Sequence, residues 1–354
     1  GPMHMANARG GALGDCLAAV LDKAGYNAWR EFYVNDAGNQ IEKFGCSLEA
    51  RYLQIFKGDE IEFPEDGYQG EDIKDLAKEY ADLNGDSLVN VSAEERKKAL
   101  VDFALPKNIE KMQADMEKYK IFYDKWFFES ELHKSGAVKA VVDLLTKKGL
   151  TYEKEGAVWY KNKEVLTQKL LKEGKSQKYI DNLELKDDVL IRQNGNPTYF
   201  TADIAYHKNK FDRGFTTLID VWGADHHGHV MRMKGAMDAI GYDGDKLNVV
   251  LMQLVKLVKD GELVKMSKRT GKAIQLGDLL DEVPVDSARF LFNTKEANTQ
   301  MDFDLDLAVS QDNQNPVYYV QYANARICSI MKNIAETENL DELLCNVDLT
   351  LFKS

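Results

Sequence analysis

Cysteine is scarce in this chain: Cys16, Cys46, Cys328 and Cys345 stand far apart, with no CxxC pair among them. That spacing excludes a zinc module built on cysteine and a disulfide framework, and it points to a reducing compartment. No apolar run reaches the length of a membrane span, and the start carries no signal-peptide pattern, so the chain reads as cytoplasmic with no membrane partner. Basic surplus is missing too. With 46 Lys and Arg against 58 Asp and Glu, the formal net charge is -12, which argues against indiscriminate nucleic-acid binding and leaves room only for a local RNA contact. Yet 44% of the 354 residues are hydrophobic, enough for a large core divided over two or three lobes.

Against this acidic background one stretch reverses sign. From Val255 to Lys272 six basic side chains (Lys256, Lys259, Lys265, Lys268, Arg269, Lys272) face two acidic ones, Asp260 and Glu262. A local cation cluster in an anionic protein asks for an anionic ligand. Asp260-Gly261 is a tight-turn dipeptide between the apolar runs Val249 to Val258 and Leu263 to Met266, which predicts a hairpin with the cluster on the loop that leaves it. The order Lys265-Met266-Ser267-Lys268 resembles the KMSKS loop of class I aminoacyl-tRNA synthetases. In that family it neutralises the triphosphate of ATP while an amino-acid carboxylate attacks the α-phosphorus.

At the other end, His4-Met5-Ala6-Asn7-Ala8-Arg9-Gly10-Gly11 precedes an amphipathic pattern at Leu13, Leu17, Val20, Leu21 and Ala24 that Gly25 closes. We expect a glycine-rich loop feeding a helix, then a strand from Trp29 to Val34, as in a doubly wound nucleotide-binding sheet. His4-Met5-Ala6-Asn7 resembles the HIGH signature of the same enzymes, and Arg9-Gly10 with Gly14-Asp15 resembles its arginyl-tRNA synthetase form. Tyr33 to Gln40 (YVNDAGNQ) is similar to the turn after the first helix of that family. Two departures stand out. Ala6 occupies a position where the family has glycine, so ATP binding is expected to weaken. The strand and Ser-x-Asn element expected ahead of the signature are also lacking, so part of the site is expected to be missing.

Residues 46–120 read as a charged, helical inserted lobe with a turn at Pro64-Glu65-Asp66-Gly67; a calcium loop at Asp82 to Asp86 fails because Ser87 and Ala93 replace the required glycine and glutamate. Phe122 to Phe128 reads as an aromatic strand returning to the sheet. Ser135 is expected to cap a helix with Val138, Val141, Val142 and Leu145 on one face. Residues 151–190 read as a second insertion with short strands around a helix. If Tyr199 to Tyr206 is helical, Tyr199 and Asp203 share a face and present a phenol and a carboxylate to one ligand. A carboxylate in a pocket selects a guanidinium through paired charge-assisted hydrogen bonds. The buried strand Phe215 to Trp222 runs into Gly223-Ala224-Asp225-His226-His227-Gly228-His229, where no cysteine or spaced acid completes a zinc site. From Asn313 the pattern becomes helical, through Pro316 to Arg326.

Taken together, the motifs are identified as those of the arginyl-tRNA synthetase family, in a form lacking both ends. The resemblance implies a doubly wound parallel, Rossmann-like class I catalytic domain over residues 1–306 with helical insertions, and the start of a helical anticodon-binding domain over 307–354. It implies activation of L-arginine by ATP, with Mg2+, and transfer to tRNA(Arg) by a monomer. It places His4, Asn7, Lys265 and Lys268 on the phosphates. Ala6, Gly223, Asp225, His226, Met266 and Ser267 would bind the rest of ATP, and Tyr199, Asp203 and Asn35 would bind arginine; no resident metal site is implied. A noncatalytic paralogue that binds nucleotide, tRNA or a protein partner is the alternative suggested by Ala6 and the lacking strand. A different nucleotidyl transferase fits poorly with Tyr199, Asp203 and the YVNDAGNQ turn.

Overall fold

A computed structural model describes residues 2–264, 274–346, 348 and 350. Its sheets are built from short parallel pairs. Strand β1 (Glu31–Val34) pairs with β2 (Lys125–Phe128) in parallel, Val34 facing Phe128. A small antiparallel sheet follows: β3 (Thr151–Lys154), β4 (Ala157–Tyr160) and β5 (Asp188–Ile191), in that spatial order. Strand β6 (Leu218–Gly223) then pairs in parallel with β7 (Leu247–Met252) along its whole length. Last come the hairpin β8 (Val255–Lys259) and β9 (Glu262–Val264), with β10 (Met301–Asp304) parallel to β8 on its other side.

Among the described residues no strand joins β1 to β6, and side chains of the helix Tyr199–Asp212 span the two pairs instead. Tyr206 donates to Glu31 on β1 at 2.7 Å, and Arg213, just past the helix, reaches both oxygens of the same carboxylate at 2.7 and 2.8 Å. On β6, Asp220 receives His207 at 2.5 Å and Lys210 at 2.7 Å. Burial opposes ionisation of Asp220, but Lys210 and His207 hold its carboxyl well below the usual carboxylate range.

Several expectations are corrected. The glycine-rich segment is no loop: helix Met5–Lys23 takes in Gly10, Gly11 and Gly14. Gly11 faces the closest packing, where a methyl would come within 3.0 Å of Ile121; at Gly10 and Gly14 a methyl would only touch Met252 and Val221, at 3.6 to 3.8 Å. The first inserted helix begins at Asn39 rather than near Cys46, and runs to Lys57; two more, Glu71–Asn84 and Ala93–Lys118, complete a lobe with its own core around Leu48, Tyr52, Ile73 and Leu100. The second insertion has its expected short strands around a helix, Asn162–Lys172, and one strand more. Strand Thr151–Lys154 escaped the sequence reading because Glu153 and Lys154 lie exposed at the sheet edge. Gly136 with φ 75° caps Ala137–Lys147, whereas the Ser135 hydroxyl turns back to the Leu132 carbonyl. The run Val249 to Val258 divides between two sheets at Gln253 and Leu254.

Candidate functional site

The site is assembled at the carboxyl ends of the parallel strands, where doubly wound folds hold ligands. Beyond Val34 the chain turns through Asn35, Asp36, Ala37 and Gly38, the last with φ 71°, before the helix starts at Asn39. Asp36 caps the neighbouring helix Glu129–Lys134 by accepting from the Ser130 amide at 2.8 Å. Oriented toward its acceptors, the Asn35 amide donates to the Ala37 carbonyl at 3.1 Å and to Glu129 Oε2 at 3.0 Å. Gly38 leaves room for the same carboxylate, whose Oε1 would sit 3.8 Å from a Cβ there. Glu129 is 3% exposed, and burial pushes its carboxyl up while His133, 3.3 Å away, pulls it down.

The helix Tyr199–Asp212 supplies the second acid. Its start is pinned to β5, since Thr198 and Thr201 hydroxyls donate to the Val189 and Leu190 carbonyls, each at 2.7 Å. This holds Tyr199 at the rim, 41% exposed, with Asp203 one turn further in on the same face. Asp203 Oδ2 meets His229 Nε2 at 3.0 Å. His229 is packed edge-on to Phe200 at 5.6 Å and beside Trp222 at 5.3 Å. Between the acids stands Tyr33, whose buried hydroxyl has no partner within hydrogen-bonding distance. Its pKa is driven up by burial first, then by the negative charges of Glu129 and Asp203, whose helices pack against one another. Two carboxylates, a phenol and an amide thus converge on one recess, and such a set suits a planar cation with several N–H donors.

The other half surrounds the first turn of helix Met5–Lys23. His4 is its N-cap, exposed, and the His4 amide donates to Asn7 Oδ1 at 2.9 Å, so Asn7 closes the turn. Arg9 is fully buried. Its Nη1 donates to the Gln253 and Thr299 carbonyls at 2.9 and 3.0 Å and its Nη2 to the Glu296 carbonyl at 2.8 Å, tying the helix to the segments that flank β8 and β10. Ala6 lies in the first turn of this helix. Past β6, Gly223 leads into the short turn Ala224–His226, where the side chains of Asp225 and His226 are 82% and 57% exposed and Trp222 packs on the His226 ring at 6.2 Å. A methyl on Gly223 would strike Asp225 Oδ1 at 2.5 Å. The hairpin turn is as expected, Asp260 and Gly261 both having positive φ, 54° and 77°. Lys265, Met266, Ser267 and Lys268 lie outside the described residues.

The structure therefore brings Asn35 and Asp203 to one recess with Tyr199 at its rim; it places His4 at the start of helix Met5–Lys23, where backbone N–H groups favour anions, and Gly223, Asp225 and His226 at the carboxyl end of β6, against which that helix packs. Sequence reasoning missed Glu129, Tyr33 and His229. Glu129 directly follows a strand expected to return to the sheet, and an acid at a strand's carboxyl end was the available signal. His229 was weighed only as a metal ligand, whereas its partner is Asp203.

The family model described as tRNA synthetases class I (R), catalytic domain, matches residues 1–329. A curated arginine–tRNA ligase of Ruminiclostridium cellulolyticum is 58% identical over 96% of this chain, which spans 57% of that protein. One of Caldanaerobacter subterraneus is 57% identical over all of this chain, which spans 60% of it. A solved arginyl-tRNA synthetase structure from Campylobacter jejuni agrees with TM-score 0.80 at 36% identity, covering 100% of this chain and 73% of that one. The Thermus thermophilus arginyl-tRNA synthetase, at 20% identity and TM-score 0.64 over 94% of this chain and 62% of its own, shares the fold. The order of the motifs and these likenesses agree: the chain belongs to the class I arginyl-tRNA synthetase family.

Proposed function

We propose that this chain activates L-arginine with ATP and passes it to tRNA(Arg). In the first step an oxygen of the arginine carboxylate attacks the α-phosphorus, the bond to the bridging oxygen breaks, and pyrophosphate leaves with that electron pair. Mg2+ enters as part of the ATP substrate. In the second step a terminal ribose hydroxyl of tRNA attacks the acyl carbon and AMP leaves. No protein nucleophile is required, so catalysis rests on positioning and on neutralising phosphate charge. His4 and Asn7 at the helix start, with Lys265 and Lys268, would face the phosphates. Ala6, Gly223, Asp225, His226, Met266 and Ser267 would hold the nucleoside and its phosphates, and Asn35, Tyr199 and Asp203, joined by Glu129 and Tyr33, would hold arginine.

The observation that carries this reading is the packing of helix Glu129–Lys134 against helix Tyr199–Asp212, which brings Glu129, with Asn35 on it at 3.0 Å, to the same side as Asp203. Arginine-dependent ATP/pyrophosphate exchange with tRNA present tests it: exchange with arginine and none with lysine is the expected outcome, and equal response to both amino acids would sink it. We further infer that the helical domain begins at the Asn315 cap, since Ala308 of helix Leu305–Val309 is still fully buried in the catalytic core, beyond the 306/307 division expected from sequence. Four free thiols are in keeping with a monomer in the cytoplasm. Among the described residues no helix is long and apolar enough to cross a membrane.

A further inference from the structure

Arg9 is a cation in an unusual place. It is fully buried, and among the described residues no carboxylate pairs with it; its guanidinium donates instead to the main-chain carbonyls of Gln253, Thr299 and Glu296, at 2.8 to 3.0 Å. A buried charge costs more than a well-packed apolar side chain, so its presence points to what the fork of donors joins. The three carbonyls lie 244 to 290 residues further along the chain and belong to two connections. Gln253 stands where the chain leaves β7 for β8 and changes sheet, and Glu296 to Thr299 form the turn ahead of β10. These connections are tied to each other as well, the Gln253 amide donating to the Ala297 carbonyl at 2.8 Å and the Met301 amide to that of Leu254 at 3.2 Å.

The same helix start is bonded from another direction. The Leu276 amide donates to the Met3 carbonyl at 2.8 Å, and Gln275 forms an antiparallel bridge with His4. In sequence the lysine-rich segment lies between Val264, the last residue of β9, and Gln275. Both approaches to it are therefore fastened to the start of helix Met5–Lys23. One runs through β8, on which the helix packs, and the Arg9 bonds; the other runs through Met3 and His4. We propose that Arg9 is a positioning residue: its three carbonyl bonds clamp the hairpin β8–β9 against the helix start, so that His4, Asn7 and the lysine-rich segment meet one polyphosphate. This rests on the reading of the helix start as the ATP phosphate site. Arg9, being fully buried, acts through these bonds and touches no substrate. An ammonium is a point charge and cannot serve two connections with the spread of a planar fork. The nucleoside side lies outside the clamp, because Gly223, Asp225 and His226 stand at the end of β6, which pairs with β7 and not with β8.

Calorimetric titration of ATP and of adenosine into the full chain tests the clamp, because stoichiometry reports the folded share separately from affinity. In Arg9→Met, ATP binding should weaken about tenfold while adenosine binding changes by less than about twofold, since only the groups that meet the polyphosphate are misplaced. Arg9→Lys should fall between parent and Arg9→Met, as its ammonium serves one connection only. A residue that merely stabilises the fold lowers the stoichiometry or weakens both ligands alike. Either pattern, with the preference for ATP kept, overturns the clamp and leaves the phosphate reading intact. A parent that binds ATP no more tightly than adenosine overturns both. Should neither variant fold, amide hydrogen exchange in the parent decides: ATP, but not adenosine, should slow residues 250–254 and 296–301 along with 3–12. Unchanged exchange at 250–254 and 296–301 overturns the proposal.

Discussion

At the scale of single residues, the recess makes a charge prediction. Asp203→Asn keeps the shape but removes one charged partner of a guanidinium, a loss of about 2 to 5 kcal/mol, so arginine affinity should fall by roughly 30-fold or more. ATP affinity should not change, because Asp203 belongs to the recess and not to the helix start at His4. Titrating both ligands into both proteins decides the matter; equal arginine binding by parent and variant would remove Asp203 from the substrate site. Glu129→Gln is expected to weaken arginine in the same sense, and to release the Asn35 amide from one of its two acceptors. The parts of this recess legible in sequence were those with chemistry written into a local pattern. Tyr199 and Asp203 are four apart, and one helix turn unites them. Glu129 is 94 residues from Asn35, and only the parallel pairing of β1 with β2 puts the strand ends side by side.

Elements are held in register here by buried charge. Helix Tyr199–Asp212 spans two strand pairs through Glu31 and Asp220, and both carboxyls are held below their ordinary values by their cationic and hydrogen-bonding partners despite burial. A lowered folded-state pKa means that the unfolded chain binds the proton more readily. The stability these acids contribute is therefore complete above about pH 5 and is lost as the pH falls below about 4, toward their folded-state values. Urea melts from pH 7 down to pH 3 should show that loss. Asp220→Asn should destabilise the fold by about 3 to 5 kcal/mol at pH 7, since it leaves His207 and Lys210 without their buried counter-charge, and should flatten the acid limb of the pH profile. A variant as stable as the parent at pH 7 would mean that packing alone joins the two strand pairs. None of this was visible in the sequence, where Glu31, Asp220 and Arg213 are ordinary charged residues in a chain that is 29% charged.

On the scale of the whole molecule, three cores carry the lobes, and the long helix Pro316–Ala335 contributes little to them. Pro316–Ala335 buries only Val317 among its described residues, while Tyr319, Tyr322, Ile327 and Ile330 are 76%, 61%, 59% and 54% exposed. Tyr319→Lys combined with Ile330→Lys should leave the melting temperature within about 2 °C, as expected for exposed positions. The same change should raise the concentration to which the chain remains monomeric in sedimentation, because it breaks up an apolar face. A large drop in melting temperature would show that the face packs within the chain. The helix itself was legible from its Asn-Pro start and its periodicity, and the structure agrees to within three residues, with Asn315 as the cap.

The amino-acid order by itself determined the family, the two signature segments, the tight turn at Asp260-Gly261 and the helix that sets Tyr199 beside Asp203. Each of these is local: a few neighbouring residues suffice to fix a turn, a helix face or a motif. Only the tertiary structure decided that Gly10, Gly11 and Gly14 lie within a helix, because glycine is a poor helix former and what packs against them, Ile121 closest of all at Gly11, comes from distant segments. Tertiary structure alone also gave Asp203 its histidine and brought Glu129 to the same recess. Burial and the meeting of distant strand ends set the charge of that pocket, and neither can be read from residues close together in the chain.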